Sequence, residues 1–90
     1  MLRLLRRAGV DVYETNARIH GYEVDVLWRA QDLAIEIDGY DAHSGRMAFE
    51  RDRLKLATLN ARGVRVMPVT GRQIRRDPDG VAQRLLAALA

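Results

Sequence analysis

The sequence predicts an α/β domain in which a mixed β-sheet carries helices, in the order α-β-β-β-α-β-α. Two runs, Tyr22 to Trp28 and Leu33 to Asp38, alternate apolar and polar residues as half-buried strands do. Ser44 to Ala61 has the apolar content and the end signals of a helix, and Val64 to Val69 follows as a compact apolar run. A strand, a crossover of this length and a second strand imply parallel pairing with a right-handed connection. Ninety residues make one small domain, near the size at which a single core is only just sufficient.

Met1 to Ala8 places leucines at 2, 4 and 5 and arginines at 3, 6 and 7 ahead of Gly9, as the last turns of an amphipathic helix with a glycine C-cap do. It carries no N-cap signal, so the first helix is expected to be truncated. Val10 to Ile19 is strand-like around Ala17 to Ile19, and His20-Gly21 reads as the turn into the next strand. Val24, Val26 and Trp28, then Leu33, Ile35 and Ile37, are expected to give each strand one core face, with Gly39 ending the second. In the long helix Ser44 is the expected N-cap, Met47, Phe49, Leu54, Leu56, Ala57 and Leu59 supply apolar surface, and Gly63 terminates it. Val64 to Val69 suits a buried strand. Thr70 to Arg76 reads as a polar, arginine-rich connection with a helical turn at Gln73-Ile74, and Asp77-Pro78 as N-cap and N1 of a C-terminal helix.

Composition excludes several classes. The apolar fraction of 48% is that of a globular protein. There is no cysteine, hence no disulfide and no thiolate zinc site, and the cytoplasm is the default compartment. No apolar run approaches the roughly 18–20 residues of a membrane span, and the basic start lacks the apolar region of a signal peptide. The net charge is +3, and 14 of the 15 basic residues are arginine, a balance compatible with a polyanionic partner.

The acids of the two central strands carry the chemistry. Pairing about Arg29-Ala30-Gln31-Asp32 sets Trp28 opposite Leu33, Asp25 opposite Glu36 and Glu23 opposite Asp38. Directly opposed residues have Cβ atoms roughly 4.5–5.5 Å apart, where like charges destabilise. Four carboxylates on one patch are hard to explain as folding chemistry, whereas a divalent cation explains them. Mg²⁺ or Mn²⁺ takes one or two carboxylates and keeps several waters, and such an ion polarises a phosphoryl oxygen and generates a hydroxide nucleophile. The carbonyl of Ile37 is a further candidate ligand. For each acid singly, a solvated sheet face is the bland account.

Asp25 and Trp28, then Glu36, Asp38, Gly39 and His43, then Phe49-Glu50-Arg51-Asp52-Arg53, then Gly63-Val64-Arg65-Val66, together resemble the DUF559 domain. That domain is related to the very-short-patch repair endonucleases of the PD-(D/E)XK nuclease superfamily. The resemblance spans about Leu4 to Leu89 and implies a restriction-endonuclease-like α-β-β-β-α-β core with an extra C-terminal helix. It implies that Asp25 and Glu36 bind the metal. Asp38 stands where the superfamily usually has a lysine that orients water or stabilises developing charge. The repair endonucleases carry a histidine there and another five residues on, a place that His43 fills. The usual first-helix glutamate lies upstream of this chain's start.

His43 is thus the candidate for general acid–base work, and a loop histidine bonding nearby backbone is its bland reading. His20 reads as structural or exposed. Glu50 with Arg53 and Asp52 with Lys55 are expected as helix ion pairs, while Arg53 or Lys55 is the candidate to supply the missing cation. Arg46, Arg51, Arg62, Arg72, Arg75 and Arg76 are candidate phosphate contacts, of which Arg46, Arg51, Arg72 and Arg75 are the preferred four. Trp28 and Tyr40 offer ring faces for bases, with Trp28 expected in the core. These readings predict a Mg²⁺- or Mn²⁺-dependent DNA endonuclease or nicking domain. The competing reading is a catalytically inactive nuclease-fold module that binds DNA or protein in a defence or toxin–antitoxin system.

Overall fold

The sheet grows outward from the hairpin of strands β2 (Tyr22–Trp28) and β3 (Leu33–Asp38). In the computed structural model, which describes residues 2–7, 9–38 and 45–90, these two strands pair antiparallel with Trp28 opposite Leu33 and Val26 opposite Ile35. That is the register expected from their apolar pattern. The turn between them places Asp32 in the left-handed region (φ 51°), and its carbonyl accepts from the backbone N–H of Arg65 at 2.8 Å. The hairpin turn is thereby tied to the start of β4 (Arg65–Thr70), which runs parallel to β3 from Leu33–Arg65 to Asp38–Thr70.

β1 (Glu14–Ile19) pairs antiparallel with β2, giving a four-stranded mixed sheet in the order β1-β2-β3-β4. The strand begins three residues earlier than its apolar content predicted. Its first residues are exposed and polar, and Arg29 holds them, donating to both carboxylate oxygens of Glu14 at 2.8 and 3.0 Å. His20 and Gly21 take positive φ (50° and 84°) and close a two-residue hairpin turn, as predicted.

The helices are α1 (Leu2–Arg7), α2 (Arg46–Ala61), α3 (Gly71–Arg76) and α4 (Pro78–Leu89). Gly9 and Gly63 end α1 and α2 in the same way. In each, the glycine has positive φ and donates to the carbonyl three residues back, while the next residue donates to the carbonyl five back: Val10 to Leu5 at 3.0 Å, Val64 to Leu59 at 2.9 Å. α2 starts at Arg46 with Gly45 in the N-cap position; Ser44, the expected cap, lies outside the described residues. The segment after β4 is a full helix, α3, where sequence predicted a connection with one turn. Thr70 accepts from the Gln73 N–H and the Gln73 side chain accepts from the Thr70 N–H, both at 3.0 Å, which forms a capping box. Asp77 caps α4 by accepting from Gly80, with Pro78 at the first position, as predicted.

Burial overturns the expectation of one core face per strand. Leu4 and Leu5 of α1 and Val81 and Leu85 of α4 pack with Val26, Trp28, Leu33, Ile35 and Val69 on one side of the sheet. Leu59 of α2 packs with Ala17, Val24, Leu27, Ala34 and Val64 on the other. The hairpin is the middle of three layers, so Leu27 and Ala34 are as deeply buried as their neighbours. The run at 64–69 is instead an edge strand, with Val69 its one buried residue inside β4 and Pro68 exposed, a residue that edges tolerate. α2 also buries less than predicted: Met47, Phe49 and Leu54 are exposed.

Candidate active site

β2 changes face at Asp25. Val26 packs in the first cluster, yet Val24, two residues earlier, packs in the second. At this level the neighbouring strand carries Asn16 with φ 48°, between the pairs Thr15–Val26 and Ala17–Val24. Asn is one of the few side chains that tolerate this region. The β2-β3 ladder also has its last regular pair here, Val26–Ile35. Instead of standing in a further rung, Asp25 reaches across to β3, where its Oδ2 accepts from the Ile37 backbone N–H at 2.6 Å.

Glu36 lies beside it, half-buried like Asp25. Its Oε1 accepts from Lys55 Nζ of α2 at 2.8 Å. The same ammonium donates to the Glu23 backbone carbonyl at 2.6 Å, so one side chain joins α2 to both central strands. Lys55 and Glu36 side chains are 21% and 22% exposed, which places the pair under partial cover. Burial raises the Glu36 pKa, the hydrogen bond and charge of Lys55 pull it down, and the charges of Asp25 and Asp38 push it up again. The net direction is upward. Asp38 is exposed at the end of β3, level with Thr70 of β4.

This donor set suits a hard divalent cation. Among the described residues no three His, Asp, Glu or Cys side chains converge where they could hold a metal ion, so the four-acid patch expected from the sequence does not form as one metal-holding group. Two carboxylates with water and phosphate oxygens filling the remaining positions are what Mg²⁺ ordinarily takes. Burial first, then the charges of Asp25 and Asp38, disfavour the Glu36 carboxylate, and a bound cation would offset both.

A family model for restriction-endonuclease-like proteins, REase_MTES_1575, matches residues 1–89. The chain belongs to this family. Among solved structures, the homing endonuclease I-Bth0305I catalytic domain superposes with a TM-score of 0.79 at 26% identity, covering 97% of this chain and 86% of that one. Two curated relatives from Mycobacterium tuberculosis, uncharacterized protein MT2308 (strain CDC 1551 / Oshkosh) and uncharacterized protein Rv2248 (strain H37Rv), are each 29% identical over 82 residues. The match covers 86% of this chain and spans 30% of the length of either relative.

On this restriction-endonuclease-like chain the other expected site residues are distributed as follows. Arg53 lies over the Phe49 ring, its guanidinium carbon 4.8 Å from the centroid, and both face outward on α2. The cation at the acids is Lys55. The expected helix pairs are replaced: Lys55 turns to Glu36 rather than Asp52, and Glu50 approaches Arg46 at 3.7 Å. His43 and Tyr40 lie outside the described residues. Arg46, Arg51 and Arg62 are exposed on or just after α2, and Arg72, Arg75 and Arg76 on α3. These two helices pack on opposite sides of the sheet, since Ile74 of α3 joins the first cluster. Trp28 is core, 2% exposed, with its ring centroid 6.0 Å from that of Tyr13. Among the described residues its indole N–H has no hydrogen-bond partner. Lys55 and Arg53 are both candidates in the sequence, and the docking of α2 separates them, turning Lys55 to Glu36 and Arg53 to Phe49.

Proposed function

We propose that this chain is a divalent-metal-dependent DNA endonuclease or nicking domain that hydrolyses phosphodiester bonds. The observation that carries the reading is Asp25 reaching across to β3, where its Oδ2 accepts from the Ile37 N–H next to Glu36 as the β2-β3 ladder opens, in a chain of the restriction-endonuclease-like family. The structural neighbour, a homing endonuclease catalytic domain, points the same way.

Asp25 and Glu36 hold Mg²⁺ or Mn²⁺ in this proposal. The ion, when bound, supplies Lewis acidity at the phosphoryl oxygen and a lowered pKa for attacking water. The Ile37 N–H fixes Asp25 Oδ2, so the carboxylate is oriented before any ligand arrives. Asp38 adds negative charge near Glu36 and assists in drawing the cation. His43, close after β3 in sequence, is the proposed general acid–base or water-positioning group. Lys55 replaces Arg53 as the proposed source of positive charge at the acids, because it is already there. Exposed arginines on α2 and α3 contact DNA phosphates, giving affinity without sequence selectivity. The very-short-patch repair type is the proposed subclass, on the placing of His43 after Glu36 and Asp38.

The reading is tested by incubating plasmid DNA with Mg²⁺ or Mn²⁺ and either wild type or Asp25→Ala. Cleavage or nicking by wild type and its loss in the variant are expected; equal cleavage by both removes the assignment of this site. A second reading, an inactive binding module, is favoured by Asp38 in the place of a catalytic lysine and by Glu36 being already ion-paired. DNA binding that survives Asp25→Ala, with no cleavage in either metal, would support it.

A further inference from the structure

Arginine fills fourteen of the fifteen basic positions, and the one lysine is the residue that reaches the acid pair. The two cations are not equivalent. A guanidinium grips a carboxylate through two parallel donors, as Arg29 grips Glu14 through Nε and a terminal nitrogen. An ammonium is a compact, strongly hydrated point charge with three rotatable donors. Lys55 engages Glu36 through one oxygen, Oε1, and spends a second donor on a fixed anchor, the Glu23 carbonyl. It therefore holds Glu36 at one point and has a place to stay when that contact opens.

We infer that Lys55 is a resident counter-ion of the site, which occupies Glu36 while no divalent cation is bound and gives it up when one binds. The inference rests on the reading of Asp25 and Glu36 as the metal pair. Without a cation, Lys55 is the positive group on Glu36, at 2.8 Å, while Asp25 is held to the next residue of β3 by the Ile37 N–H. A dication held by the same carboxylate would add a second positive charge beside the ammonium under partial cover, where repulsion is much stronger than in bulk water. The ammonium then leaves Oε1 and remains at the rim on the Glu23 carbonyl. Metal affinity is thereby lowered, and the carboxylates stay in place in the empty site. Lys55 is a positioning residue in this scheme.

A single lysine makes the test direct. Protein labelled with ¹³C at lysine carries one side-chain Cε resonance, followed while Mg²⁺ is titrated into wild type. A saturable shift is expected, with the midpoint of metal binding measured by calorimetry. At about pH 8, well above the ordinary carboxylate range, folded Lys55→Met is expected to bind Mn²⁺ about tenfold or more tightly than wild type, because a competing charge is gone. Asp25→Asn, in the same calorimeter, tests the underlying site: wild-type affinity in that variant removes the metal pair itself. If Asp25→Asn loses binding while the Lys55 resonance stays unmoved at saturating Mg²⁺, or while folded Lys55→Met binds as wild type does, the site stands and the counter-ion role is overturned. Should Lys55→Met fail to fold, the wild-type titration decides alone.

Discussion

Lys55 of α2 and Glu36 of β3, nineteen residues apart, meet at 2.8 Å, with Lys55 also bound to the Glu23 carbonyl of β2. The contact ties the helix layer to the strands at the point where the β2-β3 ladder ends. Asp25 is fixed beside it by the Ile37 N–H. The candidate site is therefore built from three consecutive elements of the β2-β3-α2 unit, and its geometry depends on α2 staying docked.

The charge on Glu36 gives a pH signature. Burial, with Asp25 and Asp38 adding to it against Lys55, raises its pKa above the ordinary value of 4.5. The folded state then binds the proton more tightly than the unfolded state. This contribution to stability is full below the ordinary value and is lost as pH rises through the raised one. Thermal unfolding in EDTA between about pH 4 and 8 is expected to show wild type losing stability relative to Glu36→Gln as pH rises. Parallel profiles would show that Glu36 is not under this stress.

Docking of α2 rests on Leu59, the buried side chain of that helix, which packs with Val24, Leu27, Ala34 and Val64. Leu59→Ala is expected to cost about 2–5 kcal/mol in chemical denaturation, enough to unfold a domain of this size under mild conditions. Phe49→Ala, on the exposed part of the same helix, should stay within about 0.5 kcal/mol.

The capping box at α3 is a local test of the fold. Thr70→Ala removes the oxygen that accepts from the Gln73 N–H and should cost about 1 kcal/mol. Thr70→Ser keeps the oxygen and should recover most of that stability.

Binding to DNA should be strongly salt-dependent and carried by exposed arginines. Arg46→Ala with Arg51→Ala is expected to weaken binding to unrelated duplexes by similar factors. The slope of log affinity against log salt should become shallower by about 0.9 for each phosphate that the variant no longer neutralises. An unchanged slope would show that DNA phosphates are held by other residues.

Much of the hairpin was legible because its signals are local. The alternation of β2 and β3 gave their boundaries and the Trp28–Leu33 register, and Gly9, Gly63 and Asp77-Pro78 marked three helix ends. The misses share a cause: periodicity reports a residue's own polarity and is blind to what is stacked over it. Leu27 and Ala34 are buried because α2 covers the second face, and Arg65 to Pro68 are open or half-open because, among the described residues, no strand pairs beyond β4. The α3 helix was missed although Thr70 and Gln73 carry the capping-box spacing, since its arginines masked a single apolar anchor, Ile74. Lys55 has a local candidate partner in Asp52, and tertiary packing supplies a different one.

The central claim, that Asp25 and Glu36 form a metal pair, is tested most directly by a crystal structure soaked with Mn²⁺ and measured at an anomalous wavelength. The account predicts one peak about 2.1 Å from a carboxylate oxygen of each of Asp25 and Glu36, with Lys55 withdrawn from Oε1. A protein that cleaves DNA with Mn²⁺ yet shows its anomalous peak away from both carboxylates would contradict it.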